Sequence, residues 1–189
     1  PPPFPATAYG LQYRVSMFNH AAKAFFGNTW TSPEVPVTSL SEAGMIRVST
    51  PVVAFYHSAI HDDVCVLVVE VVVVSHAGTL AGRRLGEVGV GWAVINAFSP
   101  GRAMPDAGDM RWDARDPRDM TPPTDVPLFA GSPRSLMFTQ HAARPAGFLP
   151  KAGCKLLFHL CTHRALRPAR YLLEENEVVG ATTVVPGLE

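Results

Sequence analysis

Between Val64 and Val74 the chain reads VCVLVVEVVVV, a run in which only Glu70 interrupts the apolar side chains. A membrane-spanning helix needs roughly 20 such residues. This run is much shorter and is closed by Asp62 and Asp63 on one side and His76 on the other. Valine loses rotamer freedom in a helix and packs well on a pleated surface, so the run predicts a β-strand. Cys65, Leu67, Val69, Val71 and Val73 share one face; Val64, Val66, Val68, Glu70, Val72 and Val74 share the other. A strand with one face in water would alternate apolar with polar. The pattern therefore predicts a central strand whose charge-free set packs between two sheets. The other set lies outside, where it needs a cover. That cover is expected from the Asp/Arg-rich loop or the VVPGL segment of the same chain, or else from another protein. Glu70 belongs on the outer face, paired to an arginine or at a rim, because an unpaired carboxylate in the core is costly.

Period-2 alternation recurs elsewhere. In LQYRVSMF, Leu11, Tyr13, Val15 and Met17 oppose Gln12, Arg14, Ser16 and Phe18, which predicts a half-buried strand. NHAAKAFFG follows, with Asn19 as N-cap and Gly27 as stop. It predicts a short helix or a single turn that drops Phe25, Phe26 and Trp30 onto the core. An exposed aromatic anchor is the alternative for these three rings. MIRVST and PVVAFYHSAI read as short strands, with Pro51 at an edge or a strand start. In EVGVGWAVINAF, Val88, Val90, Trp92 and Val94 point one way and Glu87, Gly89, Gly91 and Ala93 the other. The glycine-rich face marks a bulge or the close approach of another segment. It is no dinucleotide fingerprint, because no G-x-G-x-x-G turn leads into a helix.

From about residue 100 to 125 the pattern vanishes, predicting a long flexible loop. VPLFAGSPRSLMF then gives a strand, a turn and an extended or helical tail. In CKLLFHLCTH, Leu156, Phe158 and Leu160 face inward. YLLEENEVV reads as a strand or short helix, and VVPGL as a closing extended segment. Seven or eight strands with little helix predict an all-β fold, an antiparallel β-sandwich with one short helix, spanning 1–189 as a single domain.

Composition narrows the function classes. Apolar residues make up 47% of 189, enough for a core. Lys plus Arg and Asp plus Glu are 16 each. Net charge near zero gives no global attraction to nucleic acid or an anionic membrane. The three cysteines, Cys65, Cys154 and Cys161, sit inside apolar runs and suit thiols used as small hydrophobes in a reducing compartment. The opening PPPFPATAYG has neither a basic start nor an apolar core, so it predicts no signal peptide and a fragment of a longer protein.

Candidate chemistry is thin. Asp106, Asp109, Asp113, Asp116, Asp119 and Asp125 could suggest calcium, which needs several converging carboxylates. Arg102, Arg111, Arg115 and Arg118 are interleaved with them, so a solvated loop of mixed charge is expected. No second aspartate-rich loop accompanies them, apart from the pair Asp62 and Asp63. His159, Cys161 and His163 fall on one strand face at spacing two and could present metal ligands, but a fourth is not evident. Cys65 or Cys161 would be the thiol nucleophiles, yet neither sits at a nucleophile elbow. No catalytic, cofactor-binding or metal residue is expected, and no enzyme.

The blocks YRVSMFNHAAKAFFGNTW, FYHSAIHDDVCVLVVEVVVV, GEVGVGWAVINAFS, VPLFAGSPRSLMF and YLLEENEVVGATTVVPGL together carry a resemblance. In order and spacing they resemble the N-terminal C2-like domain of the nephrocystin-4 (nephroretinin) family, over most of Tyr13 to Glu189. The Phe-Phe-Gly-x-x-Trp block and the Gly-Ser-Pro-Arg turn are the most specific. The resemblance implies a C2-type β-sandwich in a scaffold protein of the ciliary transition zone, on the cytoplasmic side near the basal body. It implies nephrocystin-1 and the C2-containing interactor of the retinitis pigmentosa GTPase regulator as partners, and a contribution to the gate between cilium and cytoplasm. The alternative is a peripheral membrane-binding C2 module making weak membrane contact. Calcium dependence is not expected, because the aspartate arrangement of calcium-dependent C2 domains is missing.

Overall fold

A computed structural model describes residues 7–37, 52–58, 64–96, 124–138, 148–160, 171 and 173–180. Its centre is the valine run. Strand β5 (Cys65–Ala77) pairs antiparallel on one side with β1 (Thr7–Asn19) and on the other with β6 (Arg84–Ile95). Strand β2 (Ala24–Thr31) and the two-residue β3 (Val35–Pro36) pair with β1. β4 (Ala54–His57) pairs with a distant β9 (Glu177–Gly180) to form a second, two-stranded sheet. Beyond β6 the large sheet continues through β7 (Thr124–Phe129) and β8 (Pro150–Phe158), in the order β2-β1-β5-β6-β7-β8. The strands are antiparallel throughout, and the fold is an all-β sandwich, as the alternation predicts.

β6 and β7 meet in register only at Trp92 and Phe129, which lets β7 and β8 curl over one face of the large sheet. Their inward side chains Val126, Leu128, Cys154 and Leu156 pack on Leu11, Val71 and Ala93. Beside them, Tyr56 and Val178 of the small sheet, with Phe158 and Leu160, close over Val15, Met17, Leu67, Val69 and Trp30. The charge-free face of β5 thus lies between two layers, as expected.

The opposite face of β5 is also covered. Phe18, Val66, Val68 and Trp92 lie beneath Phe129, Leu136 and Phe148. Leu136 comes from a 3₁₀ helix, Pro133–Phe138, that follows the Gly-Ser-Pro turn. Aromatic edges lock the lid: Trp92 is 4.8 Å from Phe148 and 5.1 Å from Phe129, centroid to centroid. The Trp92 indole N–H donates to the Ala130 carbonyl at 3.3 Å, so its polar atom is satisfied under the lid. At the far end of the same face, Leu80 and Glu34 lie over Gly10, the strand partner of the fully buried Val74. The cover is therefore intramolecular, but it comes from Leu136, Phe148 and two connecting segments. The Asp/Arg loop before Thr124 and VVPGL lie outside the described residues, as do MIRVST and Pro51.

Two local expectations are corrected. Residues 20–23 form a hairpin turn, not a helix, and Phe25 and Phe26 already belong to β2. Asn19 still caps the segment: its Oδ1 accepts from the Ala22 N–H at 2.8 Å. Lys23 then takes a left-handed φ of 52°, which ends any helical run and starts the returning strand. The helical element among the described residues is the 3₁₀ turn instead. In β6, the register shifts opposite Val71 and Val72, leaving Val90 as an extra residue. The bulge sends Val88 to the inner side against Val73, away from Trp92 and Val94. The glycine face does mark close approach, since a Cβ at Gly91 would meet the Phe129 carbonyl at 2.9 Å.

Phe25, Phe26 and Trp30 hold the fold rather than project from it. Trp30 is buried, and the two phenylalanines are half-buried on opposite faces, Phe26 in the inter-sheet core and Phe25 edge-on to Phe18 at 4.9 Å. Between them Gly27, at φ 68°, lets β2 approach the Asn176 carbonyl, which any Cβ would strike. Asn28 then extends the ladder with its side chain. Its Nδ2 donates to the Val178 carbonyl at 2.9 Å, and its Oδ1 accepts from the Val178 N–H at 2.6 Å.

Two measurements test this architecture. Trp92→Ala removes the centre of the lid and should cost about 3–5 kcal/mol in urea unfolding, whereas Phe138→Ala, at a site 82% exposed, should cost under about 0.5 kcal/mol. Asn28→Ala strands two backbone groups of Val178 and should cost about 1–3 kcal/mol, with hydrogen exchange accelerated first at 178–180.

Candidate interaction surfaces

Among the described residues, those that could have carried catalysis or metal binding are not assembled into a site. Asp106, Asp109, Asp113, Asp116 and Asp119 lie outside the described residues, with Arg102, Arg111, Arg115 and Arg118 and the pair Asp62–Asp63. Asp125, on β7, forms an exposed ion pair with Lys155 of β8, whose hydrogen bond holds its carboxyl below the usual carboxylate range. His159 is exposed just past β8; Cys161 and His163 lie outside the described residues. Cys65 is buried, its sulfur 3.6 Å from the Asn19 amide, and Cys154 is half-buried on the Leu11–Val71 cluster, so both serve as small hydrophobes. Among the described residues no group of three His, Cys, Asp or Glu side chains could hold a metal ion. No helix among them is long and apolar enough to cross a membrane.

What the fold does build is surface. On the outer face, Glu70 sits 3.8 Å from the Arg14 guanidinium, the arginine pairing that its place in an apolar strand demands. Arg14 also donates to Glu87 at 2.8 Å, and Arg84 reaches the same Glu87 oxygen. Arg14's hydrogen bond, aided by the charges of both arginines, holds the Glu87 carboxyl below its ordinary value. Gly89, beside them, leaves a Cβ-sized space 3.4 Å from Glu70. A second polar link closes the far end of the sandwich. The buried His76 places Nε2 2.7 Å from Glu34 and Nδ1 3.2 Å from the Gly82 carbonyl, tying the β1–β3 region to the β5–β6 turn. A third joins the small sheet's ends, where the Ser58 hydroxyl donates to Asn176 at 2.6 Å. None of Asn28, Glu34, His76 and Asn176 stood out in the sequence, since single polar residues carry no periodic signal. The left-handed φ of 65° at Asn176 explains its residue type afterwards.

The margins of the large sheet differ from one another. On β2, the Asn28 side chain binds β9. On β8, Lys151 donates to the Val90 carbonyl at 2.7 Å, Lys155 pairs with Asp125, and Gly153 bends the strand with φ 73°. Along β6, the half from Arg84 to Gly89 is exposed at every residue and has β5 on one side. No strand lies along its other side among the described residues. Leu85 and Val88 stand out there, at 50% and 69% exposure, with Tyr9 nearby across β5.

With that geometry in view, similarity to known proteins is informative. Human nephrocystin-4 is 28% identical over 178 residues, covering 93% of this chain. The chain resembles nephrocystin-4 along nearly all of its length. The Xenopus laevis nephrocystin-4 is 24% identical over 187 residues, or 94% of the chain. In both cases the chain spans 11% of the relative's own length, so it corresponds to a nephrocystin-4-like region. No family model matches, and no solved structure does.

Acid should weaken the fold in two separable steps. His20 is buried against the edge of Phe18 at 5.2 Å, and burial lowers its pKa below 6.5. As pH falls through 6.5, the unfolded chain binds a proton that the folded His20 refuses, so stability declines until the lower folded value is reached. His20→Gln should flatten the stability–pH slope in that window relative to wild type. Glu87 acts lower down: its ion pairs stabilise above about 4.5 and are lost as pH falls through its depressed folded value. Glu87→Gln should lower the melting temperature at neutral pH and flatten the decline on the acidic limb, read by thermal melts across pH.

Proposed function

We propose that this region is a non-enzymatic, C2-type scaffold domain of a ciliary transition zone protein, where it contributes to the gate between cilium and cytoplasm. The observation that carries this reading is the end-to-end match to two proteins named nephrocystin-4. The fold is consistent with it. The apolar faces of the central strand are used internally, and the polar clusters serve as braces between strands. Such a domain offers a rigid outer surface, which suits holding partners in place. Nephrocystin-1 and the C2-containing interactor of the retinitis pigmentosa GTPase regulator are the partners this reading names. A membrane-binding role finds no comparable support, since the chain is charge-balanced at 16 basic and 16 acidic residues.

The test is location and recruitment in ciliated cells. The region, fused to a fluorescent protein within its parent chain, should concentrate at the transition zone. Trp92→Ala, which removes the lid, should disperse it and lower co-precipitation of nephrocystin-1. Diffuse cytosolic signal for the wild-type chain, with no co-precipitation, would overturn the reading.

A further inference from the structure

We infer that the open margin of β6, Arg84–Gly89, is a docking edge that accepts an extended segment of a partner protein as an added β-strand. The inference deepens the scaffold reading by naming the surface and the kind of partner. In an antiparallel pair, alternate residues turn their N–H and C=O groups away from the paired strand. For Arg84–Gly89 those groups face a side with no strand among the described residues. Open edges invite pairing, and folded proteins blunt them with lysine, bends or covering segments. The two outer margins of this sheet carry such devices, Asn28 bound to β9 on β2 and the bent Gly153 on β8, where Lys151 and Lys155 are drawn inward to the Val90 carbonyl and to Asp125. The β6 margin is bulged at its two ends, at Leu85 and Val90, and between the bulges it presents Val88 to solvent at 69% exposure.

Two glycines point the same way. At Gly86 an added Cβ would meet nothing nearer than the Ser75 hydroxyl at 3.9 Å, and at Gly89 nothing nearer than a Glu70 carboxylate oxygen at 3.4 Å. Neither has the left-handed φ that demands glycine. Internal packing therefore does not require glycine at either position. A bare backbone on an exposed edge favours the close approach of another main chain.

The occupant follows from the side chains that flank the edge. On the inner side, Val88 stands beside Val73 and, one strand further on, near Tyr9 and Leu11. A strand added next to β6 would place alternate residues alongside Val88, and these should be apolar and β-branched. Its other residues would lie beside Glu87 and Arg84, already paired to each other, and should be polar and uncharged. The partner is thus an extended segment alternating apolar with neutral polar residues, bound mainly through its backbone.

The test uses this chain, isotope-labelled, with a blocked synthetic peptide alternating valine and threonine, long enough to span Arg84–Gly89. Its control is the same peptide N-methylated at alternate positions. The unmodified peptide should slow amide exchange severalfold within Arg84–Gly89 and leave β8 unchanged; the methylated peptide should do neither. Val88→Lys should abolish the protection with the melting temperature unchanged. Equal effects of the two peptides, or protection centred on β2 or β8, would overturn the inference. So would protection, in the chain alone, of those amides of Arg84–Gly89 that point away from β5. If that protection rises with protein concentration, the occupant is a second copy, and a partner segment is ruled out. Any of these failures can occur while the region still reaches the transition zone, so the scaffold reading is judged separately.

Discussion

A strand that is apolar on both faces has to be covered twice, and the rest of the molecule is arranged around that demand. β5 cannot sit at the surface, so it takes β1 and β6 as neighbours along almost its whole length. Its inner face recruits β7, β8 and the β4–β9 pair, which makes the sandwich. Its outer face recruits Leu136 and Phe148, which form a lid over Val66, Val68 and Trp92. Burying a large apolar side chain contributes about 1.5–3 kcal/mol, so both covers matter to a fold with no disulfide among its described cysteines.

The polar residues are placed by the same demand. Glu70 interrupts the apolar run where neither cover reaches, and Arg14, directly across on β1, meets it there. Arg14 and Arg84 then share Glu87, so the bare part of the outer face is braced by charge instead of packing. These groups are a quarter to a half exposed, and solvent limits what each pair contributes. Their value lies in fixing register: slipping β1 by one residue would carry Arg14 to the opposite face and leave Glu70 alone.

Much of this was legible in the sequence. Valine content and alternation identified β1, β5 and the inward set Leu156, Phe158 and Leu160, because those signals are periodic and local. The position of Glu70 followed from the cost of burying charge. The hairpin at residues 20–23 did not, since Ala and Lys favour helix and only the left-handed φ at Lys23 diverts the chain. The side on which Val88 lies was equally hidden: the glycines signalled a bulge, but a bulge residue reverses every face beyond it, and its exact place depends on the partner strand. The identity of the lid was invisible for another reason. Phe148 and Leu136 lie in short segments without alternation, and only the curl at Trp92 and Phe129 brings them over β5.

The clasp between Asn28 and Val178 joins residues 150 positions apart. A ribosome adding roughly 5–20 residues per second needs about 8–30 s to cover that distance. Through all of that time the inner side of β2, with Phe26 and Trp30, waits without Val178 to close over it. The nascent chain therefore presents a sticky aromatic surface early and shields it late. For this region, the interval of vulnerability to misassembly and chaperone capture is set by the order in which its strands leave the ribosome.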